Sequence, residues 1–185
     1  MNILLKIVKA VDWASTTLGR TISVGVPLLV LIILYEIFSR FFFGVSTHWS
    51  YDISIFIYGY TGLLAGAWVM KDRKHINVDI VLSALNPRGK AVANSISALI
   101  VIFFLVILIM SGSKLALASF KMSQKSPSLW GAPIAHFKAV IPAAAFMVLV
   151  QTLANLVRDL YMSVTGKPLE PTEEEADAAN PSPAP

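Results

Sequence analysis

The amino-acid sequence predicts an all-α integral membrane protein with four transmembrane helices, and three observations support this fold class. Hydrophobic residues make up 56% of the 185-residue chain and charged residues only 14%, whereas soluble domains carry about 25% charged residues. Four apolar segments are each long enough to cross a hydrocarbon layer of about 30 Å, at about 1.5 Å per helical residue. Positive charges concentrate in one connection between these segments, 71–90, as they do in the cytoplasmic loops of membrane proteins.

Residues 1–20 predict an amphipathic lead-in helix on the cytoplasmic surface of the membrane. Apolar residues alternate there at helical spacing with Lys6, Lys9 and Asp12, a pattern typical of a helix with one apolar face. A cleaved signal peptide is the alternative. It is disfavoured because the following apolar run exceeds the roughly 7–15 residues of a signal core, and no small-residue cleavage site comes after it.

A membrane domain is predicted over residues 21–161. Its four spans, in chain order, are 22–43, 49–70, 92–117 and 139–161. Residues 75–86, between the second and third spans, are apolar at intervals but too few to cross a membrane, which predicts an amphipathic interfacial helix along the inner leaflet. The tail, residues 162–185, is acidic and rich in proline, and is predicted to be a disordered cytoplasmic segment because it cannot bury a core.

The distribution of basic residues predicts that both termini face the cytoplasm. In that orientation ten of the fifteen Lys and Arg residues lie on the cytoplasmic side and five on the opposite side, as expected from the excess of positive charge on inner loops. The bases of the central connection are then expected to contact anionic lipid of the inner leaflet. They are Lys71, Arg73, Lys74, Arg88 and Lys90.

Glu36 is the one acidic residue well inside a predicted span, and an intramembrane carboxylate is a candidate functional group because its burial is costly. Arg40 lies one helical turn further on, on the same face. The short turn after Phe43 reverses the chain and brings Asp52 to about the depth of Arg40, which predicts a Glu36–Arg40–Asp52 cluster. Its role is either that of a proton- or ion-coupled carboxylate or that of a structural cluster fixing the first helical hairpin. The counter-charge of Arg40 favours the structural role.

Two further patterns predict helix packing inside the membrane. Gly59, Gly62 and Gly66 form a stripe of small residues on the second span, and such stripes let helix backbones approach closely. A ligand groove is the alternative for this stripe. Gln151 and Asn155 lie one turn apart on the fourth span and predict interhelical hydrogen bonds, with a substrate contact as the alternative.

No residue pattern in the sequence points to an enzyme, a cofactor site or a metal site. The chain contains no cysteine, which removes disulfides, thiolate ligands and thiol nucleophiles. Its histidines, His48, His75 and His136, lie at or beyond span ends, so haem ligation at membrane depth is not expected. Nucleic-acid binding is not expected either, since no soluble basic domain would carry it.

Residues 22–85 carry a recognisable order of motifs. In chain order these are Glu36, Arg40 and Phe41 at the end of the first span, Trp49, Asp52, a second span rich in Gly and Ala, and the string RKHINVD at 73–79. This order resembles the DctQ-type small membrane subunit of tripartite ATP-independent periplasmic (TRAP) transporters, and the rest of the chain resembles it in four-span architecture and length. Asp52 stands where such proteins more often have Glu, which keeps the charge but shortens its reach.

The resemblance implies a multi-pass subunit of the bacterial inner membrane, in a sodium-coupled, binding-protein-dependent transporter that imports an organic acid. The implied partners are a large membrane subunit, a periplasmic substrate-binding protein and membrane phospholipids. The small subunit is expected to scaffold the large one and to contribute to docking of the binding protein. Candidate docking residues are His48, Ser50, Tyr51, Lys121 and Lys125.

Three other functions remain open from the sequence. A self-contained four-helix exporter would use Glu36 for proton coupling, but such exporters are shorter and their Glu is not followed one turn later by Arg. A quinone- or haem-linked membrane enzyme subunit is disfavoured by the lack of cysteine and of paired histidines. A membrane assembly subunit unrelated to transport is the third.

Overall fold

A computed structural model of the chain describes residues 2–71 and 86–166. The described residues form five helices, which are α1 (Asn2–Ser23), α2 (Gly25–Phe43), α3 (His48–Lys71), α4 (Pro87–Lys121) and α5 (Ala135–Thr165). Strands are absent from these residues, apart from one isolated bridge between Lys125 and Pro133. The predicted interfacial helix at 75–86, except for Asn86, lies outside the described residues, as does the predicted tail from residue 167 onward.

Four helical segments are long and apolar enough to cross a membrane. They are Leu5–Phe43, His48–Lys71, Gly89–Lys121 and Ala135–Thr165. The prediction of an all-α chain with four candidate membrane spans is therefore confirmed. α3, α4 and α5 extend beyond the predicted spans because backbone hydrogen bonding continues into the polar flanks, which the apolar pattern does not count. Among these three helices the longest extension is at the start of α4, where Pro87 occupies the first helical position, a site that needs no N–H group.

The boundary between α1 and α2 has a simple backbone cause. Pro27 has no N–H group, so it cannot donate the helical hydrogen bond to the carbonyl group of Ser23, four residues earlier. α1 accordingly ends at Ser23 and α2 begins at Gly25. The ladder resumes at once, since the backbone N–H of Leu28 donates to the carbonyl of Val24 at 3.4 Å.

α1 and α2 together run antiparallel along the whole length of α3. Four contacts fix this register. They are Lys71 with Thr16, Trp68 with Gly19, Thr61 with Gly25, and Ser50 with Glu36. Each step forward along α1 and α2 is matched by an almost equal step back along α3. The first part of α1, before Thr16, therefore lies beyond the end of α3 and contacts α5 instead.

α5 is the central helix of the bundle, since it packs against α1, α3 and α4. It lies closest to α4, where Gly112 allows a near approach; a Cβ atom at that position would stand 3.3 Å from Pro142 Cδ. α5 also buries small and polar residues along its length. They are Ala135, Ala144, Ala145, Gln151, Thr152, Ala154, Asn155 and Asp159. α2, by contrast, packs mainly against α3 and stands at the edge of the bundle.

The connection between α4 and α5, residues 122–134, folds into a compact loop. The backbone N–H of Ser126 donates to the carbonyl of Ala132 at 2.7 Å, and that of Ile134 donates to the carbonyl of Gln124 at 3.1 Å. Gly131 has a φ of 65°, a conformation that glycine adopts without steric cost. These bonds close the loop at its base and present its tip at the same end of the bundle as the α2–α3 turn.

Candidate functional site

An open groove of about 460 Å³ lies between α2, the start of α3 and the tip of the 122–134 loop. We call it the α2–α3 groove. Its lining combines apolar side chains with the polar residues that follow the end of α2. The lining residues are Ile33, Glu36, Ile37, Arg40, Ser46, Thr47, His48, Ser50, Tyr51, Ser54, Ser128 and Leu129. The groove therefore contains two of the three predicted cluster residues and three of the predicted docking residues.

The Glu36 carboxylate is held by four hydrogen-bond donors of its own chain. Its Oε1 atom accepts from Arg40 Nη2 at 2.8 Å and from Ser46 Oγ at 3.3 Å. Its Oε2 atom accepts from the backbone N–H of Thr47 at 3.0 Å and from Ser50 Oγ at 2.8 Å. Since a carboxylate offers about four acceptor sites, this arrangement ties the end of α2 to the start of α3. We call these five residues the Glu36 cluster.

Arg40 is an exposed member of the Glu36 cluster. Its side chain is 67% exposed, against 18% for Glu36. Its Nη2 atom donates to Glu36 and to Ser46 at 3.3 Å. Within residues 2–71 and 86–166, its Nε and Nη1 groups have no hydrogen-bond partner. The groove therefore presents guanidinium donors that are free to bind an anionic group, while the carboxylate beside them is fully occupied.

Asp52 does not join Glu36 and Arg40 in the structure. It is 2% exposed and accepts hydrogen bonds from two serines of the 122–134 loop, from Ser126 Oγ to Oδ1 at 2.7 Å and from Ser128 Oγ to Oδ2. The reason is the helical rotation of about 100° per residue. Ser50 faces α2, so Asp52, two residues later, points about 200° away and toward the loop. Depth along the helix was therefore insufficient to predict its partners.

A second polar cluster joins α1, α3 and α5 at the opposite end of the bundle. Asp12 forms an ion pair with Arg158 and accepts from Gln151 Nε2 at 2.8 Å. Gln151 in turn accepts from Ser15 Oγ at 2.7 Å. Asn155 donates to the backbone carbonyl of Met70 at 2.9 Å and accepts from Arg158 Nη1 at 3.1 Å. We call these residues the Asp12 cluster.

The sequence predicted only part of the Asp12 cluster. The predicted interhelical hydrogen bonds of Gln151 and Asn155 are both present. The pairing of Asp12 with Arg158 was missed, although Arg158 lies on the same helical face as the two amides, at positions i, i+4 and i+7. That common face was the available signal. Side chains of the cluster are largely buried, with Gln151 at 0% exposure.

The three glycines of the predicted packing stripe lie in different surroundings. A Cβ atom on Gly59 would stand 2.3 Å from Phe137 Cε2, and one on Gly66 would stand 3.3 Å from Val148 Cγ2. Both glycines therefore face α5 at close range. A Cβ atom on Gly62 would meet no other atom within 4 Å. Gly62 lies at the edge of the stripe, about 60° around the helix from Gly59 and about 40° from Gly66, and it is exposed.

The remaining predicted site residues differ in their exposure, and some lie outside the described part of the chain. Among the docking candidates, His48, Tyr51, Lys121 and Lys125 are exposed, while Ser50 is buried at 3% exposure and belongs to the Glu36 cluster. Among the predicted lipid contacts, Lys71 donates to Thr16 Oγ1 at 2.9 Å, and Lys90 is exposed. Arg73, Lys74 and the side chain of Arg88 lie outside the described residues.

Comparison with known families adds one result to this geometry. A family model described as the DctQ component of tripartite ATP-independent periplasmic transporters matches residues 29–161. The matched region begins inside α2 and continues to within five residues of the end of α5. It therefore includes the α2–α3 groove, the 122–134 loop and the α5 part of the Asp12 cluster. No curated protein matches the chain.

Proposed function

Since this chain belongs to the DctQ family of TRAP transporter components, we propose that it braces the large membrane subunit of the transporter and helps the periplasmic binding protein to dock. The transporter it serves would be sodium-coupled, would import an organic acid and would reside in the bacterial inner membrane. These finer features are those that the family resemblance implies. The chain itself would act as a rigid platform rather than as the path of the substrate.

The observation that carries this proposal is the exposure of α2. No residue of α2 is buried by the described chain, and its apolar side chains are exposed on several sides of the helix. Examples are Leu31 at 62%, Ile37 at 57% and Phe38 at 57% exposure. A membrane helix that packs mainly against α3 and bears an exposed charged pair has a surface suited to another protein, because lipid does not satisfy such a pair. A brace for a larger subunit requires such a surface.

The internal contacts of the bundle support a rigid rather than a transporting role. The described polar clusters lie at the two ends of the bundle, where they tie α2 to α3 and α1 to α5. Transporter sites instead gather polar groups near the bilayer midplane, often at broken helices. The alternative of a self-contained proton-coupled exporter is also weakened. Glu36, the carboxylate it would require, is already occupied by four donors.

The 122–134 loop and the α2–α3 turn are proposed to form part of the docking surface for the binding protein. Leu129 at the loop tip is 86% exposed and Trp130 is 49% exposed. Asp52 holds this tip in place through Ser126 and Ser128. Exposed bases, Lys121 and Lys125, flank it. A fixed apolar tip within basic surroundings suits a soluble partner with an acidic rim, because apolar contacts supply affinity and complementary charge steers the encounter.

The orientation with both termini in the cytoplasm belongs to the same proposal and can be tested directly. The chain has no cysteine of its own, so single cysteines at Ser128 and at Lys74 would each report one compartment. An impermeant thiol reagent added to intact cells should label the variant Ser128→Cys and spare Lys74→Cys. The reverse pattern would refute both the orientation and the docking surface.

Co-purification tests the central proposal. When the chain is expressed with its large membrane subunit and extracted in mild detergent, the two are expected to elute as one complex. Cells lacking the chain should lose uptake of the transported substrate while still producing the large subunit. Elution of the chain by itself, together with unimpaired uptake in its absence, would contradict the bracing role.

A further inference from the structure

One side of α3 continues the α2–α3 groove toward the middle of the bundle. Tyr51 lines the groove, and Ile55, Tyr58 and Gly62 follow it at four-, seven- and eleven-residue intervals, hence on one helical face. This face is open, with Tyr51 63% exposed and Tyr58 72% exposed. We call it the Tyr58 face.

The Tyr58 hydroxyl makes this face unsuited to lipid. Tyr58 lies ten residues after the start of α3, about 15 Å along the helix axis, and therefore near the middle of a hydrocarbon layer of about 30 Å. Its hydroxyl forms no hydrogen bond with the described part of the chain. Acyl chains offer no donor or acceptor, and an unsatisfied hydroxyl in hydrocarbon is unfavourable. A protein group is the available partner at this depth.

Gly62 provides the space for such a partner. Gly59 and Gly66 are used for packing within the chain, but an added Cβ at Gly62 would meet no atom within 4 Å. A glycine at an open helix face lets a second helix approach closely. The next turn toward the groove carries Tyr58, so the close approach and the polar group fall in the same place.

The exposed face of α4 shows the opposite character. Its large exposed side chains between residues 96 and 110 are all hydrocarbon or thioether. They are Ile96, Leu99, Ile100, Phe103, Phe104, Val106, Ile107 and Met110. Beyond Ser97, which is exposed, the residues up to Met110 carry no polar side chain, so this surface is satisfied by lipid. The contrast with the Tyr58 face separates a lipid-facing side of the bundle from a protein-facing side.

The α2–α3 groove, at the Tyr51 end of the Tyr58 face, indicates which charge a partner helix should carry. The guanidinium of Arg40 keeps free donors, whereas Glu36 is occupied by four donors of its own chain. A partner helix lying along Tyr58 and Gly62 would pass Arg40 as it leaves the membrane. A carboxylate at that level would complete a charge-assisted pair with the guanidinium.

We propose that the Tyr58 face and the α2–α3 groove hold a transmembrane helix of the large membrane subunit, which hydrogen bonds to Tyr58, packs on Gly62 and offers an acidic side chain to Arg40. This inference rests on the proposed bracing function, because it takes the large subunit as the partner. It goes further in assigning which side of the small subunit makes the contact and what chemistry the partner helix carries.

Photo-crosslinking tests the assignment within the intact complex. The photoreactive residue p-benzoylphenylalanine replaces Tyr51 or Tyr58, and Phe103 or Phe104 on α4 as matched controls, since all four sites exchange one aromatic side chain for another. Irradiation is expected to join the Tyr51 and Tyr58 variants to the large subunit and to leave the α4 variants without a protein adduct.

The outcomes separate this inference from the proposed function. If the wild-type complex purifies but Tyr51 and Tyr58 yield no adduct with the large subunit, or the α4 sites do, the assigned face is wrong and the bracing role stands. Adducts between two copies of this chain would also overturn the assignment, since a second copy would then occupy the face. Failure of the wild-type complex to form would overturn both.

A glycine substitution gives an independent test. Gly62→Leu should leave the isolated subunit folded, because its side chain enters open space, yet should lower recovery of the large subunit about tenfold by filling the interface. Ala118→Leu is the control, since Ala118 is an exposed small residue of α4. Equal recovery with both variants would contradict close packing on Gly62.

Arg40 provides a separate test of the charge requirement. Arg40→Glu should reduce recovery of the large subunit, whereas Arg40→Lys should largely preserve it.

Discussion

Arg158→Ala is expected to lower the free energy of unfolding by about 3 kcal/mol, because it leaves the Asp12 carboxylate partly buried without its counter-charge. The two side chains are only 15% and 18% exposed, so water cannot replace the lost guanidinium fully. The same change removes the hydrogen bond that Arg158 Nη1 donates to Asn155. α1 should then separate from α5 more readily than any other pair of helices. Unfolding of the purified protein in detergent, followed by circular dichroism, measures the difference.

Two controls make the Arg158 result specific. The double variant Asp12→Asn with Arg158→Gln removes both charges and is expected to recover more than half of the lost stability, because no unpaired charge remains. Arg20→Ala removes an exposed base of α1 and should change the free energy of unfolding by less than about 0.5 kcal/mol. An unfolding midpoint for Arg158→Ala equal to that of wild type would show that the Asp12 cluster does not hold α1 in place.

Gly59→Ala is the second change with a large expected effect, a loss of about 2 kcal/mol from overpacking. The added Cβ would stand 2.3 Å from Phe137 Cε2. Phe137 cannot withdraw easily, because its ring packs against Phe56 and Tyr60 at centroid distances of 5.5 and 5.6 Å. α3 and α5 must therefore move apart. The unfolding midpoint in detergent again provides the measurement.

Gly62→Ala is the matched control on the same helix. It places the same methyl group in open space, and alanine is favoured over glycine in a helix by about 1 kcal/mol. The isolated subunit should therefore be as stable as wild type or more stable. Combining Gly59→Ala with Phe137→Leu shortens the obstructing side chain and should restore part of the loss. Similar losses for Gly59→Ala and Gly62→Ala would rule out the packing difference between these two positions.

The two polar clusters together support the proposed role of this chain as a platform. The Glu36 cluster ties α2 to α3 at one end of the bundle, and the Asp12 cluster ties α5 to α1 and to α3 at the other. Between them, α1 and α2 run along α3 in constant register. A bundle held at both ends resists the bending that a moving partner would impose, while its open α2 and α3 surfaces stay available for contact.

Hydropathy and charge in the sequence by themselves determined the all-α class and the four candidate spans, because these features depend on local composition. The order of motifs over residues 22–85 carried the family resemblance. Periodicity also placed Glu36 beside Arg40 and the two amides of α5 on one face. Such pairs within one helix follow from the 3.6-residue turn, whatever the rest of the fold does.

Only the tertiary structure decided which helix each face meets. Asp52 turns to Ser126 and Ser128 rather than to Arg40, Asp12 finds Arg158 across 146 residues of chain, and Gly62 alone of its stripe remains open. Each of these outcomes depends on the rotation of one helix about its axis relative to another. Sequence periodicity defines a face but not the neighbour opposite it, since that neighbour is chosen by the packing of all five helices at once.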